Sequence, residues 1–267
     1  MKKLLPNVEQ TVFFVSTGRT ATKAIAHYFS AFSDTTAVHE PGGSRLLRPL
    51  ANMHACGRVT TPTMDRIFSV LRTPSLKRVS TPVYIEASPL LRGCLQTLAD
   101  LFENPLLIHV VRNPATYIPS YINHGAFHGV KGLVGNRLPY WMPKPEECGD
   151  RRLRWSAMPV AERAAWRWAF INRMIEDGAA IFPGRYHRVR YEDLFHPQRR
   201  GLEELARVIG IEPPEDDAGS YSEIRVNASR VRRFPPVSEW EQDTRERVLS
   251  HCGALMQRYG YRLEDEA

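Results

Sequence analysis

The 267-residue chain is short of cysteine. Cys56, Cys94, Cys148 and Cys252 stand far apart, and no C-x-x-C pair occurs. That spacing indicates neither a zinc site nor a disulfide framework, and it fits the thiol usage of a reducing, cytoplasmic setting. Cys94 and Cys252 fall on apolar helical stripes and read as small buried hydrophobes. Long hydrophobic runs are also missing. The opening MKKLLPNVEQ carries two lysines, but its apolar run is two leucines before Pro6, too short for a signal-peptide core. No stretch approaches the roughly 20 apolar residues of a membrane span. Internal repeats and low-complexity tracts are absent. Acidic residues are outnumbered, 29 against 36 basic ones, for a net charge of +7. That balance suits an anionic ligand. The basic clusters RRLR (151–154) and RVRR (230–233) are short, however. Without a nucleic-acid-binding motif or a continuous basic helix, they read as solvated surface rather than a nucleic-acid face.

What is present is an alternation of strands and amphipathic helices. TVFFVS (11–16) reads as a buried strand. Ala21, Ala24, Ile25, Tyr28, Phe29 and Phe32 form a helical stripe after it. TTAVHE (35–40) is a short strand that stops at Pro41-Gly42-Gly43. Residues 44–80 read as irregular helical segments, 83–87 as a strand and 89–102 as one amphipathic helix. LLIHVVR (106–112) is a fully buried strand, and Asn113-Pro114 opens the next helix with proline in its first turn. Residues 125–158, rich in Gly, Pro and aromatics, form a long loop or lid. A helix over 161–175, a strand over 186–191 and helices over 198–209 and 238–259 complete the pattern. The expectation is one three-layer α/β/α domain spanning 1–267, with a mostly parallel central sheet. Lid or acceptor-side loops are expected near 42–80 and 125–158.

Ligands of such sheets sit beyond the carboxyl ends of the strands, and two polar segments lie there. STGRTATK (16–23) enters a helix N-terminus, where unpaired N–H groups and the positive dipole end favour an anion. Gly18 permits a tight turn, Thr17, Thr20 and Thr22 offer hydroxyls, and Arg19 adds a planar cationic fork. The Gly-Lys-Ser/Thr ending of a triphosphate-binding loop is missing. The loop is thus suited to a tetrahedral oxyanion, although an ordinary helix cap with a solvent-facing arginine has the same composition. In VRNPATYIPSY, Arg112 ends the buried strand and Ser120 follows two helical turns later. Fork and hydroxyl can converge on a second phosphate.

The ordered pair STGRTAT and VRNPATYIPSY resembles the motifs of the sulfotransferases that use 3′-phosphoadenosine 5′-phosphosulfate (PAPS). VRYEDLFHPQRRGLEELARVIGI (189–211) and the C-terminal VNASRVRRFPPVSEWEQDTRERVLSHCGALMQRYGY resemble later family segments, so the likeness spans nearly the whole chain. The resemblance implies that the first loop, including Ala21 and Lys23, holds the 5′-phosphosulfate, and that Arg112 and Ser120 hold the 3′-phosphate. Ala21 stands where the family commonly has glycine. The resemblance further implies Tyr191 in the adenine pocket, extra phosphate contacts from Arg230, Arg232 and Arg233, and charge stabilisation by Arg19 with Lys23 as helper. No metal is required. The Glu-Pro pair resembles an acidic motif of bacterial and carbohydrate-directed members, which makes Glu40 the first choice of general base and His39 the second. Glu86, His124 and His128 are candidate acceptor contacts. The implied activity is sulfuryl transfer to a hydroxyl, with a carbohydrate or small alcohol favoured as acceptor. A phosphate-loop small-molecule kinase and a PAPS-binding protein without turnover stay open as alternatives, as does the oligomeric state, a homodimer included.

Overall fold

The apolar run after Glu9 becomes the central strand of a five-stranded sheet. In the computed structural model, which describes residues 3–195, 200–213 and 234–265, the elements follow in this order. They are β1 (Gln10–Ser16), α1 (Thr22–Phe29), β2 (Thr35–His39), α2 (Ser44–Ala55), α3 (Thr61–Leu76), β3 (Val83–Ala87) and α4 (Leu95–Leu101). Then come β4 (Leu106–Val111), α5 (Pro114–Asn123), α6 (Gly129–Arg137), α7 (Val160–Gly178), β5 (Tyr186–Arg190), α8 (Tyr191–Leu194), α9 (Gly201–Ile209) and α10 (Gln242–Tyr259). The strand order is β2-β3-β1-β4-β5, and every pairing is parallel. The chain leaves β1 toward one edge and later reaches β4 and β5 on the other flank. The order therefore reverses beside β1, the place where open parallel sheets bind ligands.

Both faces of the sheet are covered, as a parallel sheet requires. Phe13, Val15, Tyr84 and Leu107 pack against α2, α3, α4 and α7 on one face. Val12, Phe14, Ile85 and Ile108 pack against α1 and α9 on the other. A third cluster joins α5, α7 and α10 around Trp168, Tyr117 and Tyr259. The three-layer, parallel α/β expectation holds.

Three local expectations change. Residues 44–80 are two regular helices, α2 and α3, not irregular segments. The 89–102 helix splits into a 3-10 turn, Pro89–Cys94, and α4. Gly93 explains the turn's close seat on α2, since a Cβ there would collide with the Ala51 carbonyl oxygen. The 125–158 segment contains α6 and buries Met142, Lys144 and Trp155, so much of it is packed wall rather than free loop. Trp155 donates through Nε1 to Asn136 Oδ1 at 2.9 Å.

The cysteine expectation is corrected. Cys56, at the end of α2, and Cys148 form a disulfide across 92 residues of sequence. No spacing motif announces it, because two distant segments are brought together only by the fold. Cys94 and Cys252 are buried free thiols, as expected.

His109 lies wholly inside β4. Asn172 donates its amide to the Trp168 carbonyl, so its oxygen accepts from His109 Nε2–H at 2.9 Å, while Nδ1 meets the Tyr186 hydroxyl. Burial pushes its pKa down from 6.5 to about 4. Between those values the unfolded chain binds the extra proton and the folded chain does not, so stability falls as pH drops from about 6.5 to 4. A histidine-resolved NMR titration should show His109 neutral down to about pH 4, with the melting temperature declining across the same window. An imidazole at position 109 that titrates near its ordinary value would contradict this packing.

Candidate active site

The loop after β1 is held in shape by its own hydroxyls. Gly18 N–H donates to Ser16 Oγ at 3.0 Å, and Thr20 Oγ1 donates to the same oxygen at 2.7 Å. Gly18, Arg19 and Ala21 all take left-handed backbone, with φ of 82°, 59° and 54°. Such turns aim successive backbone N–H groups into a concave, anion-binding nest. Ala21 is the N-cap of α1, yet no side chain caps that helix and its first turn holds no acid. The uncapped helix end is therefore suited to an anion. Thr17, Thr20 and Thr22 are buried, Arg19 is half-buried, and Lys23 is exposed.

The second arm meets the first. Arg112, leaving β4, donates through Nη1 to the Arg19 carbonyl at 2.6 Å and through Nε to Thr116 Oγ1 at 3.0 Å. Arg19 Nε donates to Ser120 Oγ on α5 at 3.2 Å. The Arg112 guanidinium lies 4.4 Å from the centre of the Tyr191 ring, a cation–π contact with the first residue of α8. Arg19, Arg112, Ser120 and Tyr191, drawn from four elements, thus form one group. Burial lowers the pKa of both arginines, and for Arg19 the neighbouring Arg112 charge adds to the effect. Two cations this close store unfavourable energy that an anion relieves. Glu192 supports the arrangement, accepting from Asn113 N–H at 2.8 Å and from the Tyr261 hydroxyl at 2.7 Å.

Beside β2, Glu40 occupies a left-handed position, φ 43°, and forms no ion pair among the described residues. His39 Nδ1 donates to the Ala87 carbonyl at 2.8 Å, which leaves Nε2 as the ring acceptor of the neutral imidazole. Glu86 is different. Its Oε1 pairs with Arg72 at 2.8 Å, its Oε2 accepts from the Tyr84 hydroxyl at 3.1 Å, and both partners are buried. Burial raises the Glu86 pKa, and Arg72 opposes the rise. Both oxygens of the carboxylate expected at the acceptor are thus engaged in the interior. Arg72 also donates to the Gly42 carbonyl at 2.8 Å and to Ser44 Oγ at 3.1 Å, which pins the turn that presents Glu40. His124 caps α5 and is exposed, and His128 caps α6 half-buried. Arg230, Arg232 and Arg233 lie outside the described residues.

Three functional candidates escaped sequence reasoning. Arg72 sits in the α3 stripe Met64, Phe68, Leu76, and Arg167 lies among Ala164, Trp168 and Ile171 of α7. A lone arginine on a buried helical stripe is the signal that marks both. Arg92 lies in the 3-10 turn and carries no such mark. Arg167 donates to the Thr17 carbonyl at 2.8 Å and to the Tyr117 hydroxyl, so it braces the anion loop from behind.

A parallel sheet with a capless helix after β1, and a second cationic arm after β4, defines an α/β protein of the phosphate-loop class. Residues 11–216 match the family model described as "Sulfotransferase family", and the chain belongs to that family. Among solved structures it is similar to the sulfotransferase domain from the curacin biosynthetic pathway (TM-score 0.52, 16% identity, 96% of this chain and 99% of that one). It is equally similar to the sulfotransferase domain of the Synechococcus PCC 7002 olefin synthase (0.52, 16%, 98% and 97%) and to a sulfotransferase from Alicyclobacillus acidocaldarius (0.52, 16%, 95% and 96%). At that identity the likeness is one of fold. No curated protein matches the sequence. No helix among the described residues is long and apolar enough to cross a membrane, and no group of three metal-ligating side chains occurs among them.

Two outcomes follow from this geometry. Glu86→Ala leaves Arg72 buried and unpaired and should lower stability by about 3–5 kcal/mol in urea titration, with Glu86→Gln losing less. A stable Glu86→Ala protein with only a raised acceptor KM would return Glu86 to the substrate. Ala21→Gly removes a left-handed alanine that costs about 1–2 kcal/mol and should raise stability by up to about 1 kcal/mol after the glycine's entropy loss. A clear destabilisation would show that the backbone at 21 is not left-handed.

Proposed function

We propose that the protein transfers a sulfuryl group from PAPS to a hydroxyl acceptor, a carbohydrate or small alcohol. The observation that carries this reading is the convergence of Arg19, Arg112, Ser120 and Tyr191. The residues fit a donor with two separate anionic groups: a capless helix end with an arginine for one, and an arginine fork with a hydroxyl for the other. Bound PAPS supplies a sulfuryl group on a phosphate leaving group.

In this reading Arg112 and Ser120 grip the 3′-phosphate, which ATP does not carry, and that sets the preference among nucleotides. The Tyr191 ring, already faced by Arg112, lies beside the nucleoside. Arg19 and the N–H groups of 19–22 hold the 5′ end, and the Arg19 guanidinium meets the charge that develops on the bridging oxygen. Lys23 supplements that charge from the exposed side. Glu40 takes the proton of the acceptor hydroxyl as the new S–O bond forms and the old one breaks. The Arg72 pin and the left-handed backbone at Glu40 keep that carboxylate at the strand end. His39 Nε2 is the second choice for this proton.

Titration with 3′,5′-ADP tests the donor half. Arg112→Ala should weaken binding about 10- to 100-fold, the loss expected for hydrogen bonds to a charged group. Unchanged affinity, or tighter binding of magnesium-ATP than of 3′,5′-ADP, would remove the assignment. Glu40→Gln should lower kcat about 10²- to 10⁴-fold with 3′,5′-ADP affinity intact. If His39→Ala does so instead, the imidazole is the base.

A further inference from the structure

Two of the three unforeseen cations belong to a second basic group, beside the donor loop. Arg92 and Arg167 are only 5% and 6% exposed. Arg92 donates to the Pro89 carbonyl and, through Nη2, to Asn52 Oδ1 at 3.1 Å. Arg167 lies 4.5 Å from the centre of the Tyr121 ring. Arg48, half-buried on α2, lies 5.9 Å from the Trp141 ring centre. Burial, followed by the charges of Arg167 and Arg48, pushes Arg92 down to about 9. No carboxylate among the described residues pairs with any of the three. Arg167 Nε is buried without a hydrogen-bond partner.

Such an assembly is costly as it stands. Desolvating a cation costs several kcal/mol, and proteins normally recover that with a counter-charge. The donor does not supply one in the reading above, since Arg19, the α1 terminus, Arg112 and Ser120 already receive its two anionic ends. The second group nevertheless touches the same loop. Arg167 holds the Thr17 carbonyl, and Pro89, whose carbonyl Arg92 holds, would lie 3.7 Å from a Cβ at Gly18. Asn52 donates to the Tyr140 and Trp141 carbonyls at 2.9 and 3.2 Å. The 125–158 segment, expected on the acceptor side, thus forms a wall of this group.

We infer that Arg48, Arg92 and Arg167 form an oxyanion subsite for the acceptor, so that the hydroxyl compound sulfated here carries its own carboxylate, phosphate or sulfate group. The inference rests on the sulfotransferase reading for its word "acceptor", but not for the anion site itself. Tyr121 and Trp141, faced by Arg167 and Arg48, offer half-buried rings suited to the body of such a molecule. Specificity follows from the chemistry, because a neutral alcohol leaves the buried cations uncompensated and an anionic one neutralises them.

The test is calorimetric titration of inorganic phosphate, and in a parallel arm acetate, into protein saturated with 3′,5′-ADP. One anion should bind per chain. Arg48→Gln and Arg92→Gln should each weaken it at least about tenfold, the scale of a charge-assisted hydrogen bond, while 3′,5′-ADP affinity changes less than about twofold. The stronger arm tells a tetrahedral oxyanion from a carboxylate. No anion binding to the saturated protein, binding indifferent to both substitutions, or phosphate that competes with the nucleotide overturns the subsite. If 3′,5′-ADP itself does not bind, the sulfotransferase reading fails instead. The subsite is then judged by titrating phosphate into Arg112→Ala with and without Arg48→Gln: a tenfold loss on adding Arg48→Gln sustains it, and equal binding ends it.

Discussion

The guanidinium of Arg112 is the constraint on which the rest of the site depends. It leaves the end of β4, donates to the backbone of Arg19 beyond β1, and rests on Tyr191 beyond β5. One planar fork therefore links three parallel strand ends that the sheet alone would leave separate. Its position depends in turn on β4 being buried throughout, since a register shift of one residue would turn the side chain at 112 to the other face. Trp168 reinforces the position by donating to the Arg112 carbonyl at 2.9 Å.

Backbone strain gathers at the same sheet edge. Arg19, Ala21 and Glu40 are non-glycine residues with positive φ, and each follows a strand at its carboxyl end. Such conformations cost of order 1–3 kcal/mol each and persist only where neighbours over-determine them. Here Ser16 and Arg167 hold the first loop, and Arg72 holds the second. Two buried arginines, reaching the Thr17 and Gly42 carbonyls, thus brace both loops.

Much of this was legible before the structure. The run Val12 to Val15, the stripe Ala21 to Phe32 and the buried run Leu106 to Val111 announced a parallel sheet and its helices, because burial on both faces leaves a continuous apolar signature. The loop at 16–23 and the Arg112–Ser120 spacing marked the two segments that the fold brings into contact. The Cys56–Cys148 pair, the bend at Gly93 and the Arg72–Glu86 pairing were not legible. Each joins segments that are remote in sequence, and each depends on distances that no local pattern encodes.

The order of residues along the chain settled which strands exist, where the polar loops interrupt them and which cations follow the strands, because these are matters of periodicity and local backbone preference. Tertiary packing settled the partners. Only the folded sheet decides that Arg19 meets Ser120 across 101 residues, that Glu86 faces Arg72 rather than solvent, and that Arg167 reaches the Thr17 carbonyl across 150 residues. The physical reason is that electrostatic partnership depends on separation in space and on desolvation, and both are set when the layers close over the sheet.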